Sequence, residues 1–304
     1  MTNLHVVFGA GPLGRYTATA LLEMGHIVRL VNRSGQMADA PAGAQIVASD
    51  AYDLAQNREV TQGATAVYQC AQPHYHEWAE KFPPLQRAIL EGAAANGAKL
   101  VVGDNLYMYG RPSGPLREDS PVNPHTQKGK VRAAMAQEVL DAHVSGKIRA
   151  AIGRASDFFG PYDTALTDYA IRPAVAGKPV NLLGKTDQPH TFTYVKDFGR
   201  LLATLGTREE ALGQVWFAPS NPPITQAELV RLIAAELGQP VKSRTAGPLM
   251  MRLLGLFNKS MAETMEMMYE WTAPFVVDTS KAEKAFGLQA TPLNQALRET
   301  LAWR

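Results

Sequence analysis

Val6-Val7-Phe8-Gly9-Ala10-Gly11-Pro12-Leu13-Gly14-Arg15 is the stretch from which the rest of the chain can be read. The apolar run over 4–8 reads as a buried strand. Residues 16–24 carry a helical pattern closed by Gly25, and a second apolar run over 26–31 reads as the next strand. Strand, glycine turn, helix and strand within about 30 residues form the unit that seats a dinucleotide. Gly9 permits the tight turn, Gly11 lets the backbone approach a pyrophosphate, and Gly14 lets the helix pack close to the strand. Pro12 and Leu13 lie between them, where the helix start turns free N–H groups and a positive dipole end toward phosphate.

The 304 residues, 46% of them hydrophobic, suffice for a sizeable core and for one large or two ordinary domains. A formal net charge of +2 gives no electrostatic case for nucleic acid or an anionic membrane as partner, which leaves a small-molecule substrate. The single cysteine, Cys70, excludes an internal disulfide and suits a reducing compartment. The first strand begins too early for a signal peptide, and no apolar run approaches the roughly 18 residues of a membrane span. A cytoplasmic protein is expected.

Strands over 44–50, 64–71, 99–104 and 149–154 alternate with helical patterns over 82–96 and 127–143. That order implies an α/β fold with a Rossmann-type, doubly wound parallel sheet. Ligands of such a sheet lie beyond the carboxyl ends of its strands, so the candidate site falls at 9–14, 32–34, 50–51, 70–75, 104–109 and 155–159. The second strand runs into Asn32-Arg33-Ser34, with no Asp or Glu to hold a ribose 2′-hydroxyl. Arg33 offers a guanidinium and Ser34 a hydroxyl to a 2′-phosphate, so NADP is expected in preference to NAD. Asp50, beside Ala51, is placed either for adenine or as a helix cap, a role that Asp53 fits equally. Cys70, Ala71, Gln72, Ser156 and Phe158 are expected against the cofactor. His74, Tyr75, Tyr109 and Phe159 are expected in a substrate pocket. No histidine pair has metal-binding spacing, and no metal is expected.

Beyond residue 160 the pattern loosens. Helices are expected over 164–176 and 196–205, strands over 179–183 and 214–218, and a terminal amphipathic helix over 292–303. Thr225 begins another helix, with Glu228 at the capping-box position. A smaller C-terminal substrate region (161–189 and 219–304) thus interleaves with a nucleotide-binding domain (1–160 and 190–218). In a helical stretch over 249–271, Met250, Met251, Met261, Met265, Met267 and Met268 either fill core or floor the substrate pocket.

Over nearly its whole length the chain resembles the short-chain dehydrogenase/reductase superfamily in its extended or atypical branch, the NAD-dependent epimerase/dehydratase family. The resemblance rests on Gly9 to Gly14, on Tyr107-Met108-Tyr109-Gly110 after the fifth strand, and on Arg154 to Pro161 after the sixth. It also rests on the segment from His190 through Tyr194 to Asp197. It implies substrate in a cleft between the two regions, with His190 and Tyr194 beside it. It further implies a monomer or a homodimer paired through the helices near 82–96 and 127–143.

The active-site pattern departs from that family, whose chemistry uses a Ser or Thr four residues before the second Tyr, and a Tyr-x-x-x-Lys on the next helix. Counting back from Tyr109 reaches Asn105. Alignment through Pro121 and Pro124 sets Lys128 at the Tyr position and Arg132 at the Lys position. A shift of two residues gives Thr126 and Lys130, and neither register holds a tyrosine. Residues i and i+4 share a helix face, so Arg132 and partial burial would lower the Lys128 pKa toward acid–base use. The alternatives are that both bind an anion of cofactor or substrate, or form a solvated basic face. Asn105 remains a donor to a carbonyl oxygen. Tyr107 shares its side if the backbone stays extended, and is the first hydroxyl to test in place of the missing one. Two functions follow: an NADP-dependent oxidoreductase or epimerase/dehydratase-like enzyme acting on a small carbonyl or hydroxyl compound, or a catalytically inactive NADP-binding redox sensor.

Overall fold

A computed structural model describes residues 3–162, 164–247 and 263–303. The chain runs β1 (Leu4–Phe8), α1 (Pro12–Glu23), β2 (Ile27–Asn32), β3 (Gln45–Ala48), α2 (Leu54–Val60), β4 (Ala66–Gln69), α3 (Trp78–Ala95), β5 (Lys99–Asp104), α4 (Gln127–Val144) and β6 (Ala150–Arg154). A further strand, Val215–Phe217, pairs with β6 and completes a seven-stranded sheet. From that strand the order is β6, β5, β4, β1, β2, β3, and every pairing is parallel. Helices cover both faces, which is why the central strands read as unbroken apolar runs. On one face Val6, Val67, Leu100 and Ile152 pack against residues of α2, α3 and α4 such as Ile89 and Val139. On the other, Val7, Leu30, Val101 and Ala151 meet Leu21 of α1 and Leu201 and Leu202 of the helix Val195–Thr207.

The chain leaves β1 for β2 and β3 on one side and returns to β4 on the other. A crevice therefore opens between the carboxyl ends of β1 and β4, at the glycine turn. Beside the sheet stands a smaller lobe whose core includes Ile171, Leu182, Leu229, Ile233 and Leu297. Its helix Gln226–Leu237 starts as its sequence signature requires, with Thr225 Oγ1 accepting from the Glu228 N–H at 3.0 Å.

Two boundaries differ from expectation. Helix α3 begins at Trp78 rather than 82 and accommodates Pro83 and Pro84. Trp78 and Phe82, one turn apart, are both buried with ring centres 5.2 Å apart, so packing extends the helix. The segment over 164–176 is a π turn, Thr167–Ile171, followed by a short helix, Arg172–Val175. Thr167 Oγ1 donates to the Gly160 carbonyl there. Of the methionine stretch, Met250, Met251 and Met261 lie outside the described residues. Met267 and Met268 are buried, and Met267 fills an apolar cluster with Met108 and Phe275. No described helix is long and apolar enough to cross a membrane.

Candidate functional site

The turn after β1 has little spare room. A Cβ on Gly9, whose φ is +104°, would stand 2.6 Å from the Ala71 nitrogen, and one on Gly14 would stand 1.8 Å from the Gly9 carbonyl oxygen. At Gly11 a Cβ would meet nothing within 4 Å, so this residue borders open space. Gly11 is also the N-cap of α1, Pro12 takes the first turn, and no side chain caps the helix. The N–H groups of that turn are left to a ligand. Nearby, both amide atoms of Gln69, the Ser156 hydroxyl and Arg132 Nη1 are buried without a hydrogen-bond partner among the described residues. Buried polar groups are rarely left so, and these residues fit a polar dinucleotide laid across the crevice. Leu13, in the first turn of α1, is partly buried against the core. Burial pushes the Cys70 thiol up to about 12, and it pairs weakly with Thr17 Oγ1 at 3.7 Å. Cys70 is therefore a wall, not a nucleophile.

At the end of β2 the Asn32 side chain folds its own turn, accepting from the Gly35 N–H at 2.7 Å and donating to the Gln36 carbonyl at 2.8 Å. Ser34 donates to the same Gln36 carbonyl at 3.1 Å. Arg33 is exposed and makes no hydrogen bond or ion pair among the described residues. Arg15 turns elsewhere, donating to the carbonyls of Ala38 and Asp39 and lying 4.4 Å from the Tyr162 ring centre. After β3 it is Asp53 that caps α2, accepting from Ala55 and Gln56. Asp50 accepts from the Tyr52 N–H at 3.1 Å, and the Ala51 carbonyl is held by Asn57. Asp50 thus shapes the turn.

Arg132 corrects the pattern read on α4. Its side chain is 4% exposed and is engaged by Asp104, whose Oδ1 accepts from Nε at 2.7 Å and from Nη2. Asp104 Oδ2 accepts from Arg154 Nε at 3.0 Å. Arg154 in turn donates to the Tyr109 hydroxyl at 2.6 Å. A buried guanidinium must find an anion, and Asp104 at the end of β5 supplies one. Tyr109, expected beside substrate, is therefore a buried strut.

Lys128 does not share Arg132's fate. It is also buried, but it pairs with Glu263 and stands 4.4 Å from the Tyr75 ring centre, while its backbone N–H reaches Glu266 at 3.1 Å. Its pKa is lowered, as expected, but by burial and not by Arg132, and Glu266 opposes the shift. The Tyr75 hydroxyl reaches the Tyr107 hydroxyl at 3.5 Å. Residues 107–109 form a 3-10 turn rather than an extended segment, so the Asn105 side-chain oxygen accepts from the Tyr107 N–H instead of lying beside its ring. Burial, Glu270 and Asp157 all raise the Tyr107 pKa. Glu270 itself is wholly buried, and burial and the Asp157 charge together hold its carboxyl far above the usual range. Asp157 is oriented by His190, whose Nε2 lies 2.9 Å away and whose ring stacks flat on Trp271 at 4.2 Å.

Loops after β4, β5 and β6 thus bring Tyr75 and Tyr107 into contact and within electrostatic reach of Asp157 and of Glu270 from the far segment 263–271. Tyr194 and Phe159 do not join them. Both belong to the smaller lobe's core, with the Tyr194 hydroxyl donating to Glu299 at 2.7 Å. His74 and Gln72 are exposed, and Phe158 leans on Phe198. Sequence reading gave Asp157 no role beyond its place in the range 155–159, and missed Glu263, Glu266 and Glu270. The last three fall at i, i+3 and i+7, a single helical stripe, and that spacing was the available signal. The methionines around them drew attention to packing instead.

Residues 5–216 match the model of the NAD dependent epimerase/dehydratase family. Comparison with curated proteins finds no match. Similar solved structures include UDP-glucuronic acid 4-epimerase from Bacillus cereus, in complex with UDP-glucuronic acid and NAD. It is 18% identical, with a TM-score of 0.78, covering 99% of this chain and 98% of that one. The dTDP-glucose 4,6-dehydratase DesIV from Streptomyces venezuelae, as a double mutant with NAD bound, is likewise 18% identical at a TM-score of 0.78, over 99% and 96%. The epimerase Mth375 from Methanothermobacter thermautotrophicus is 16% identical at a TM-score of 0.81, over 99% and 92%.

Proposed function

The chain belongs to the NAD dependent epimerase/dehydratase family, and on that premise we propose that it is a nicotinamide-dinucleotide-dependent oxidoreductase or epimerase/dehydratase. Its substrate is a small carbonyl or hydroxyl compound, met from the side of residues 161–189 and 219–304. The observation that carries the reading is the grouping of Tyr75 and Tyr107, beyond neighbouring strands, within electrostatic reach of Asp157 and the buried Glu270.

The nicotinamide ring, when bound, takes or supplies the hydride. The chain's own groups serve the oxygen and the proton. Asn105 keeps its amide nitrogen free to donate to the reacting oxygen, because among the described residues only its carbonyl is engaged, by Tyr107. Burial raises the pKa of both Tyr75 and Tyr107, so they stay neutral phenols and serve as hydrogen-bond donors. Glu270, its carboxyl raised by burial and by Asp157, delivers the proton in reduction as the acid and receives it in oxidation as the carboxylate. Lys128 sets the charge of this corner through Glu263 and the Tyr75 ring.

NADP is the proposed cofactor, since Arg33 is uncommitted among the described residues and no acidic side chain ends β2. The neighbours solved with NAD make NAD the competing arm. Their named ligands make sugar nucleotides the first substrates to try. No observation favours a sensor without turnover. The test is calorimetry with NADP and NAD, followed by nuclear magnetic resonance detection of product from a panel of sugar nucleotides and small carbonyl compounds. Binding with conversion of a panel member is expected. Binding without conversion of any refutes the enzyme, and no binding of either nucleotide refutes the whole reading.

A further inference from the structure

At the opposite end of the sheet, beneath the amino ends of β1, β4 and β5, lies a cavity of about 270 Å³ whose lining includes His5, His26, Lys99, Arg149 and Glu209. His5 is 1% exposed, with Nδ1 2.8 Å from the Tyr68 hydroxyl and Nε2 without a partner among the described residues. Nδ1 of His26, whose ring lies 4.4 Å from that of His5, is also buried and unpartnered among them. Lys99 is buried at the cavity wall, donating to the Gly206 carbonyl at 3.4 Å. Arg149, half in solvent, closes the rim. Two cations, Lys99 and Arg149, thus line one space, with the His5 and His26 rings at its wall.

Among the described residues the only acid lining that space is Glu209. Its side chain is 65% exposed, and its two oxygens lie 2.6 Å from Lys99 Nζ and 3.5 Å from an Arg149 nitrogen. An exposed carboxylate entering from solvent onto a buried lysine stands where an external oxyanion would. Such an exchange keeps the buried Lys99 paired with an anion, and the released carboxylate returns to water. We propose that this cavity binds a small phosphate group, as inorganic phosphate or a phosphate monoester, in place of the Glu209 carboxylate. Burial, then His26 and Lys99, push the His5 pKa down to about 3, so the ring is neutral at physiological pH and Lys99 and Arg149 carry the cavity's positive charge. None of these residues belongs to the glycine turn or to the cluster around Tyr107.

The test is isothermal titration of the full chain with inorganic phosphate and with ribose 5-phosphate at low ionic strength, with His5 ring nitrogens followed by nuclear magnetic resonance. Wild type should bind phosphate weakly, with the His5 Nε2 signal moving on saturation. Glu209→Ala should bind about tenfold more tightly, and Arg149→Ala about tenfold more weakly, each the factor of one charge contact. Tighter binding of the ester than of the free ion assigns a monoester, and the converse assigns phosphate. Absence of heat and of a His5 shift in both wild type and Glu209→Ala overturns the proposal. Heat that disappears when nicotinamide dinucleotide is present also overturns it, because the phosphate then sits at the glycine turn.

Discussion

Replacing Asp104 by asparagine keeps the shape of the side chain and removes its charge. In the folded chain that carboxylate is 2% exposed and answers two guanidiniums, each 4% exposed. It also accepts from the Asn105 N–H at 2.8 Å. The substituted amide would present one oxygen where two were used and turn an NH₂ group toward an arginine, leaving Arg132 and Arg154 buried without an anion. Breaking a buried pair by removing one partner costs about 3–5 kcal/mol, and with two stranded cations the upper part of that range, about 4–5 kcal/mol, is expected. Unfolding entropy of about 2.1 cal/mol/K per residue over 304 residues converts this to a fall in Tm of roughly 6–8 °C. Thermal melting followed by circular dichroism, paired with urea midpoints, measures it. Asp104→Asn combined with Arg132→Met should recover at least about 1 kcal/mol relative to additivity, because the two positions share one interaction. A melting point within about 1 °C of wild type would refute the clamp. So would an unchanged melting point with cofactor binding lost, for then Arg132 serves the ligand.

Three further outcomes follow from the same geometry. Glu270→Gln imitates the protonated acid, so it should leave cofactor affinity and stability nearly unchanged while lowering kcat about 10²–10³-fold, and an unaltered kcat would remove Glu270 from the proton path. Arg33→Ala should weaken NADP about tenfold to a hundredfold and leave NAD almost unaffected, as read by calorimetry, with equal losses for the two contradicting the 2′-phosphate role. His5, buried with a folded pKa of about 3 against 6.5 unfolded, is neutral in both states above pH 6.5 and contributes no pH dependence there. As pH falls below 6.5 the unfolded chain takes up a proton that the folded chain refuses, so stability should drop by about 1.4 kcal/mol per pH unit toward pH 3. Urea midpoints of His5→Gln between pH 6.5 and 4 should show a shallower slope than wild type, and parallel slopes would refute the assignment.

The parallel sheet, the glycine turn and the alternation of strand and helix were legible in the sequence because each depends on neighbours along the chain. Gly9, Gly11 and Gly14 act within one turn, the apolar runs declare burial on both faces, and Thr225 caps its helix by accepting from Glu228, three residues on. The site was legible only as a set of post-strand positions. Lys128 and Arg132, one turn apart on α4, read as a pair, yet one answers Glu263 and the other Asp104. Tyr194, placed by resemblance at the substrate, is drawn into the smaller lobe by Glu299, 105 residues on. The raised pKa of Glu270 cannot be read until the fold buries it and brings the Asp157 charge within reach. A helix or turn is decided by short-range sterics and hydrogen bonds. The direction of a buried charge is decided by which opposite charge the completed fold brings within reach, and that partner is set by packing across the whole chain.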